Sequence, residues 1–338
     1  MGFTASCFFE LAYRGSRRAC FATQYTCLER HAGAVVLVSD LSDAGGICRG
    51  DMSIELKDVS YVYDSGEPFE FFALQGLTVR IEEGSFVGIV GRTGSGKSTL
   101  AEHLNGLLLP SSGEVSVDGI VARNDRAILA AIRRKVGIVF QYPEDQFFAE
   151  TIYDEVAFGC RNSGFSKEQV DASVHRAMET VGLDPGRFLS LSPFQLSGGE
   201  QRRVAIASIV SMGQKYIILD EPTAGLDSGS KVAILTELES LRRCSGITII
   251  LVSHNMDEVA EFCTQIVVLN EGMVAFQGPT EDFFGNRSLV SDTGLELPES
   301  YRLAAAIGAC SERFQVDEHS SNRMLDSLKA QIASRGEA

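Results

Sequence analysis

The sequence predicts an α/β fold built on a parallel sheet, and three observations predict it. Short apolar runs recur: Phe86-Val-Gly-Ile-Val90, Val136-Gly-Ile-Val-Phe140, Tyr216-Ile-Ile-Leu219 and Ile247-Thr-Ile-Ile-Leu-Val252. This is the pattern of strands buried on both faces. Stretches of helical periodicity separate these runs. The first run ends in Gly91-Arg-Thr-Gly-Ser-Gly-Lys97-Ser98 and leads straight into a helix over 97–107, the strand–loop–helix context that a phosphate-binding loop requires.

The elements follow in order. Ser53–Tyr63 alternates as a strand, Asp64-Ser-Gly-Glu-Pro68 breaks it, and Leu77–Ile81 alternates again before the turn Glu82-Glu-Gly84. Beyond the glycine loop and strand 136–140, Ser166–Val181 is amphipathic and Arg202–Met212 reads as a helix. Helix Lys231–Arg242 lies between the last two buried strands, and Gln265–Leu269 with Met273–Gln277 forms a hairpin about Asn270-Glu-Gly272. Past Pro279 the chain is polar and weakly periodic, an extension over 281–338 expected to be a small helical appendage or a dimerisation element.

Residues 1–51 differ from the rest, with little periodicity and one short apolar run. No adequate apolar core follows their early arginines, which excludes a secretory signal. The expectation is that this extension is disordered or precedes the natural start, with translation beginning at Met52; an organelle transit peptide is the alternative. The 338 residues carry a net charge of −15, a poor electrostatic match for phosphate backbones, so no nucleic-acid partner is expected. No run approaches the roughly 18–20 apolar residues of a membrane span. The eight cysteines include no CxxC pair, which argues for reduced thiols and against a disulfide scaffold or zinc finger.

Three constellations carry chemistry. Gly91, Gly94 and Gly96 let amide N–H groups converge where a Cβ would crowd a phosphate, with a helix N-terminus behind them. Lys97 would reach the β- and γ-phosphates, and the Ser98 hydroxyl would ligate Mg²⁺. Asp220 and Glu221 close a buried strand and would emerge beside that loop. Asp220 would hold Mg²⁺ through water, and Glu221 would polarise the attacking water. A lone Asp-Glu pair is most often solvated surface; the apolar strand before it reverses that reading.

His254 follows the next strand and could hydrogen-bond a γ-phosphate, although a lone histidine is usually structural. Gln141 ends its strand the same way and could reach Mg²⁺ or the water. Tyr63 is a candidate adenine stacker, with Tyr61 competing for that role. Ser197-Gly198-Gly199 before a helix makes a second anion nest. The economical explanation for two such sites in one chain is that the second addresses ATP held by a partner.

This set resembles the nucleotide-binding subunit of ATP-binding-cassette (ABC) transporters over about residues 52–280. Tyr63, Gly91 to Thr99 (Walker A, with Arg92, Thr93, Ser95 and Thr99 as further nucleotide contacts), Gln141, Leu196-Ser-Gly-Gly-Glu200 (signature), Asp220-Glu221 (Walker B), Asp227 (D-loop) and His254 occur in the family's order. The resemblance implies a P-loop NTPase (RecA-like) core, an antiparallel β subdomain, and an α-helical signature subdomain over about 143–203. It also implies ATP and Mg²⁺ as ligands, catalysis by Glu221, His254 and Gln141, and a metal site of Ser98, Gln141 and Asp220.

Pro68-Phe-Glu70, His103-Leu-Asn-Gly-Leu-Leu108, Gln141-Tyr-Pro-Glu-Asp-Gln146, Arg202-Arg-Val-Ala-Ile-Ala207 and Thr223-Ala-Gly-Leu-Asp227 are similar to the ATPases of energy-coupling-factor importers of vitamins or transition-metal ions. That implies a second cassette, identical or paralogous, a transmembrane coupling subunit and a substrate-binding membrane subunit, with the chain peripheral on the cytoplasmic face. Coupling helices would sit near Gln141–Phe158, where Glu144 and Asp145 would pair with basic residues. The signature's usual final Gln is Glu200 here, and function is expected to survive the change. A soluble cassette acting on DNA or ribosomes usually adds a coiled-coil insertion or a second fused cassette, and a P-loop kinase leaves the Ser-Gly-Gly nest without a role.

Overall fold

The computed structural model describes residues 52–63 and 70–303. The expectations for residues 1–51, for Pro68, for the side chains of Glu144 and Asp145, and for the tail beyond 303 lie outside the described residues.

Two sheets organise the described residues. Strands β1 (Ser53–Tyr63) and β2 (Phe71–Glu82) pair antiparallel, followed by β3 (Phe86–Gly91) and helix α1 (Lys97–Leu104). Strands β4 (Ser112–Val117) and β5 (Ile120–Val121) complete an antiparallel sheet of order β2-β1-β4-β5. Helix α2 (Arg126–Lys135) then leads into β6 (Val136–Val139). Next come α3 (Ile152–Asn162), α4 (Lys167–Thr180), α5 (Pro185–Phe188) and α6 (Gly198–Val210). Strand β7 (Tyr216–Asp220), α7 (Ser228–Ser245), β8 (Thr248–Val252) and α8 (Met256–Phe262) bring the chain back to the sheet. It continues through β9 (Gln265–Asn270), β10 (Met273–Pro279), α9 (Thr280–Gly285) and α10 (Arg287–Asp292).

The second sheet has the order β10-β9-β3-β8-β7-β6. Neighbours from β9 to β6 are parallel, and β10 is an antiparallel edge. β3, β7 and β8 are buried at every position, as their unbroken apolar runs require. The connection between β9 and β10 has φ +50° at Glu271 and +75° at Gly272, the left-handed pair of a type I′ turn.

Helix α1 lies between the sheets. Leu100, Ala101 and Leu104 are fully buried with Ile54, Leu56 and Leu77 of the antiparallel sheet and Ile89 and Ile250 of the parallel one. Burying each of these leucines and isoleucines contributes roughly 1.5–3 kcal/mol. A second core joins the other face of the parallel sheet (Phe86, Leu219, Leu251) to α3, α4 and α6 through Val156, Val174 and Val204.

Several elements depart from expectation for identifiable reasons. Helix α1 stops at Leu104, not residue 107, because Gly106 turns at φ +70°. β2 begins at Phe71 instead of Leu77, since its first two phenylalanines are both exposed and show no alternation. The β4–β5 hairpin and α2 add to the expected elements; β4 opens with three exposed residues, so no period-two signal marks it. Helix α6 starts at Gly198, before Arg202, because Ser197 and Glu200 form a reciprocal capping box that satisfies its first amides.

Asp118, in the β4–β5 turn, ties the sheets together. Its carboxylate accepts from the Tyr216 hydroxyl at 2.7 Å and pairs with the Lys135 ammonium at 2.7 Å. Burial pushes this carboxyl up, but the Lys135 and Tyr216 hydrogen bonds and the charge of Lys215 outweigh it and hold the group below the usual range. A depressed folded pKa means stabilisation that is present above the unfolded value of ~3.9 and lost as pH falls through the folded one. Asn tolerates the φ of +46° at this position. Asp118→Asn is expected to lower unfolding stability by roughly 1–2 kcal/mol at pH 7. The gap to the parent protein should close below about pH 4, as denaturant unfolding at stepped pH would measure.

Candidate functional site

The ends of β3, β6, β7 and β8 converge on one place, and each delivers a residue singled out by sequence. The loop from Gly91 to Ser98 curls because its glycines sit where other residues do not fit. A Cβ on Gly91 would strike the Leu269 carbonyl and the Ser95 hydroxyl, and one on Gly96 (φ +99°) would lie 2.6 Å from the Ala73 carbonyl. Lys97 Nζ donates to the Gly91 carbonyl at 2.8 Å and the Arg92 carbonyl at 3.0 Å, so the ammonium folds back over the loop. Arg92, Thr93, Gly94 and Ser98 are exposed, and Ser95 is buried beneath them.

Asp220 closes β7 and is buried. Burial pushes its carboxyl up, helped by the neighbouring charge of Glu221, while the Ser98 hydroxyl and Lys97 oppose that shift. Burial lowers the Lys97 ammonium against the attraction of Glu221 and Asp220. The three charged groups therefore share one field, with the Ser98 hydroxyl beside Asp220.

Glu221 sits at φ +49°, a left-handed conformation that costs an L-residue roughly 1–3 kcal/mol and persists only where the surroundings enforce it. Its amide donates to the Val252 carbonyl at 2.9 Å. One carboxylate oxygen accepts from Gln141 Nε2 at 2.9 Å, and the other lies 2.9 Å from His254 Nδ1. Tyr142, immediately after Gln141, is also left-handed at φ +55°. Gln141, Glu221 and His254 thus form one bonded line beside Lys97, Ser98 and Asp220.

The remaining candidates lie apart from that line. The Tyr63 hydroxyl is 3.2 Å from Thr99 Oγ1, over the first turn of α1. Tyr61 packs edge-on against both Tyr63 and His103, and both tyrosines are half-buried. Asp227 caps α7, accepting from the Ser230 amide at 3.0 Å and hydroxyl at 2.6 Å. Ser197, Gly198 and Gly199 open α6, and among the described residues no hydrogen bond joins them to the phosphate loop. The Ser197 hydroxyl instead donates to Glu200 Oε2 at 2.7 Å, and the Ser197 amide donates to the same oxygen at 2.9 Å. These bonds hold the Glu200 carboxyl below its usual range.

Two residues without an individual role in the sequence reading support the site. Arg202 is only 2% exposed and donates to the Glu221 carbonyl at 3.3 Å and the Ala224 carbonyl at 3.4 Å. An arginine facing the apolar side of a helix was the available signal. Glu258, buried on α8, accepts from Thr223 and from both neighbours of His254. No signal in the chain marked it.

The chain is similar to known proteins. The ABC transporter family matches residues 74–224. The energy-coupling factor transporter ATP-binding protein EcfA2 of Clostridium perfringens is 44% identical over 248 residues, covering 73% of this chain and 87% of that protein. Its counterpart in Clostridioides difficile is 46% identical over 254 residues, covering 75% and 88%. Among solved structures, CbiO1 of Clostridium perfringens, part of the ABC transporter complex CbiONQ, superposes with a TM-score of 0.65 at 34% identity, covering 75% of this chain and 98% of that one. The dimeric structure of MJ0796, a bacterial ABC transporter cassette, gives 0.60 at 33% identity, covering 67% and 98%.

Arg202→Met keeps an unbranched apolar stem but removes the donors to two carbonyls. It is expected to cost about 1–3 kcal/mol of stability, measured by denaturant unfolding. Because those carbonyls flank the strained Glu221 backbone, ATPase turnover should fall with it.

Proposed function

The chain belongs to the ABC transporter family as an ATP-hydrolysing cassette of the energy-coupling-factor kind, and on that premise we propose a role for each residue of the site. The observation that carries the reading is the Glu221 carboxylate held between Gln141 and His254 beside the Lys97 loop. Lys97 and the loop amides would bind the β- and γ-phosphates. Glu221 would accept a proton from water as its oxygen bonds to the γ-phosphorus and the bond to the bridging oxygen of ADP breaks. His254 and Gln141 would orient that carboxylate and the water. Tyr63 would face the adenine, with Tyr61 packed edge-on against it.

Mg²⁺ fits the donors present. The Ser98 hydroxyl, the Asp220 carboxylate and the Gln141 amide oxygen are hard oxygen ligands. Burial and Glu221 disfavour the charge on Asp220, and Lys97 opposes them, so a divalent cation would offset the local acidity. Among the described residues no cluster of three or more His, Cys, Asp or Glu could hold a metal by itself, in keeping with an ion that also needs phosphate oxygens. When bound, Mg²⁺ would neutralise charge developing on those oxygens.

Ser197–Gly199 would be lent to ATP on a second cassette, identical or paralogous, with Asp227 facing the same junction. Support comes from the dimeric cassette among the structural relatives. Among the described residues no helix is long and apolar enough to cross a membrane, so coupling to transport would run through membrane subunits that include a separate substrate-binding subunit, at the cytoplasmic face. The coupling helices would sit near Gln141–Phe158. The cargo would be a vitamin or a transition-metal ion, chosen by the substrate-binding subunit.

Glu221→Gln is expected to keep ATP affinity, accumulate a closed dimer on gel filtration and lose at least about a hundred-fold in turnover. Turnover at the parent rate would remove Glu221 from the mechanism. Lys97→Ala should abolish nucleotide binding in a fluorescent-ATP titration.

A further inference from the structure

We propose that Glu258 is a positioning residue for hydrolysis, clamping the loop that carries Glu221 to the turn that carries His254. The inference rests on the proposed roles of Glu221 and His254. Glu258 does not touch that pair; it holds the segments on which they are mounted.

The carboxylate is 7% exposed and collects donors from three segments. From the loop after β7, the Thr223 hydroxyl lies 2.9 Å from Oε1 and 2.8 Å from Oε2. From the β8–α8 turn, Asn255 Nδ2 donates to Oε1 at 3.1 Å and the Ser253 hydroxyl reaches Oε2 at 3.3 Å. From α7, Lys231 Nζ stands 3.8 Å from Oε1. Thr223 and Ser253 are themselves 4% and 3% exposed.

Position in the chain gives these contacts their meaning. Thr223 is two residues from Glu221, Ser253 and Asn255 flank His254, and Lys231 lies one helical turn past Asp227. The Ser253 hydroxyl also accepts the Asn255 amide at 3.0 Å, and the Asn255 side chain caps α8. The turn bearing His254 is therefore shaped by the same network that grips Thr223. His254 itself is 69% exposed and has little packing of its own to aim it. A buried carboxylate bonded this fully is strongly directional, and removing it strands several buried donors.

The bond pattern distinguishes the useful substitutions. The Ser253 hydroxyl, which donates or accepts, faces Oε2, the Asn255 amide and Lys231, which only donate, face Oε1, and the Thr223 hydroxyl lies against both oxygens. Glutamine fits this arrangement with its NH₂ toward the hydroxyls and its oxygen toward Asn255 and Lys231. Alanine leaves every donor unmatched.

The test uses the full chain with Glu258→Ala, Glu258→Gln, Thr223→Val, His254→Ala and the Glu258→Ala/His254→Ala pair. Readouts are kcat, fluorescent-ATP affinity and thermal melting. Glu258→Ala should lower kcat about 30-fold with ATP affinity within about 3-fold, while Glu258→Gln returns to within about 3-fold of the parent. In the His254→Ala background the further loss should shrink to less than about 3-fold, because the clamp acts through that side chain. Parent-level kcat in Glu258→Ala, multiplicative losses in the pair, or a melting and affinity loss that Gln does not reverse would each overturn the proposal. Should Glu258→Ala fail to fold, Thr223→Val decides: a kcat loss of about 5-fold or more at unchanged affinity supports the clamp, and no loss refutes it. Failure of the hydrolytic pair itself would appear separately, as full turnover in Glu221→Gln or His254→Ala.

Discussion

The rest of the site depends on how the chain leaves β7. At Glu221 the backbone enters the left-handed region, which an unconstrained glutamate disfavours, and the surroundings hold it there from several directions. Its amide is bonded to β8, its carbonyl to the buried Arg202 guanidinium, and its carboxylate to Gln141 and His254. An ordinary extended exit from the strand would aim that carboxylate elsewhere. Local strain is thereby spent on placing a functional group, and the stiffness of the buried parallel sheet maintains it.

The sheet and the phosphate loop solve a related problem of charge. Asp220 and Glu221 bring two carboxylates to one strand end, and Glu102 on α1 adds a third whose carboxyl burial and Asp220 push up. Lys97 is folded onto the loop carbonyls within the same field. An acidic cluster around a single lysine suits the proposed pairing of a nucleotide with a divalent cation, which together would balance it. Packing α1 between two sheets makes this arrangement rigid: its apolar face is gripped from both sides, so the loop at its N-terminus cannot drift.

The signature helix shows how a small sequence departure takes on structural meaning. Glu200 occupies the third position of α6 and completes a capping box with Ser197, the same device that Ser166 and Gln169 form on α4. Capping is therefore available to either side chain. The difference is that a carboxylate only accepts, so Glu200 engages the Ser197 hydroxyl proton. The helix start is stable, and its serine is held in place by the helix's own first turn.

The sequence by itself determined the architecture and the chemistry: buried runs imposed a parallel sheet, and glycines before Lys97 imposed a phosphate loop, because strand burial and loop curvature follow from local residue size and period. It also marked every strand-end residue that meets at the site. It left unmarked β4 and β5, whose short or exposed faces carry no clear period, whereas α2 carries a legible signal in Ile128, Leu129 and Ile132 behind the Asp125 cap. The tertiary structure alone decided the left-handed turns at Tyr142 and Glu221, the bracing of Glu221 by Arg202, and the gathering of Thr223, Ser253, Asn255 and Lys231 on Glu258. Those depend on distances between segments far apart in the chain, and spacing along one strand or helix carries no information about what a neighbouring strand will bring beside it.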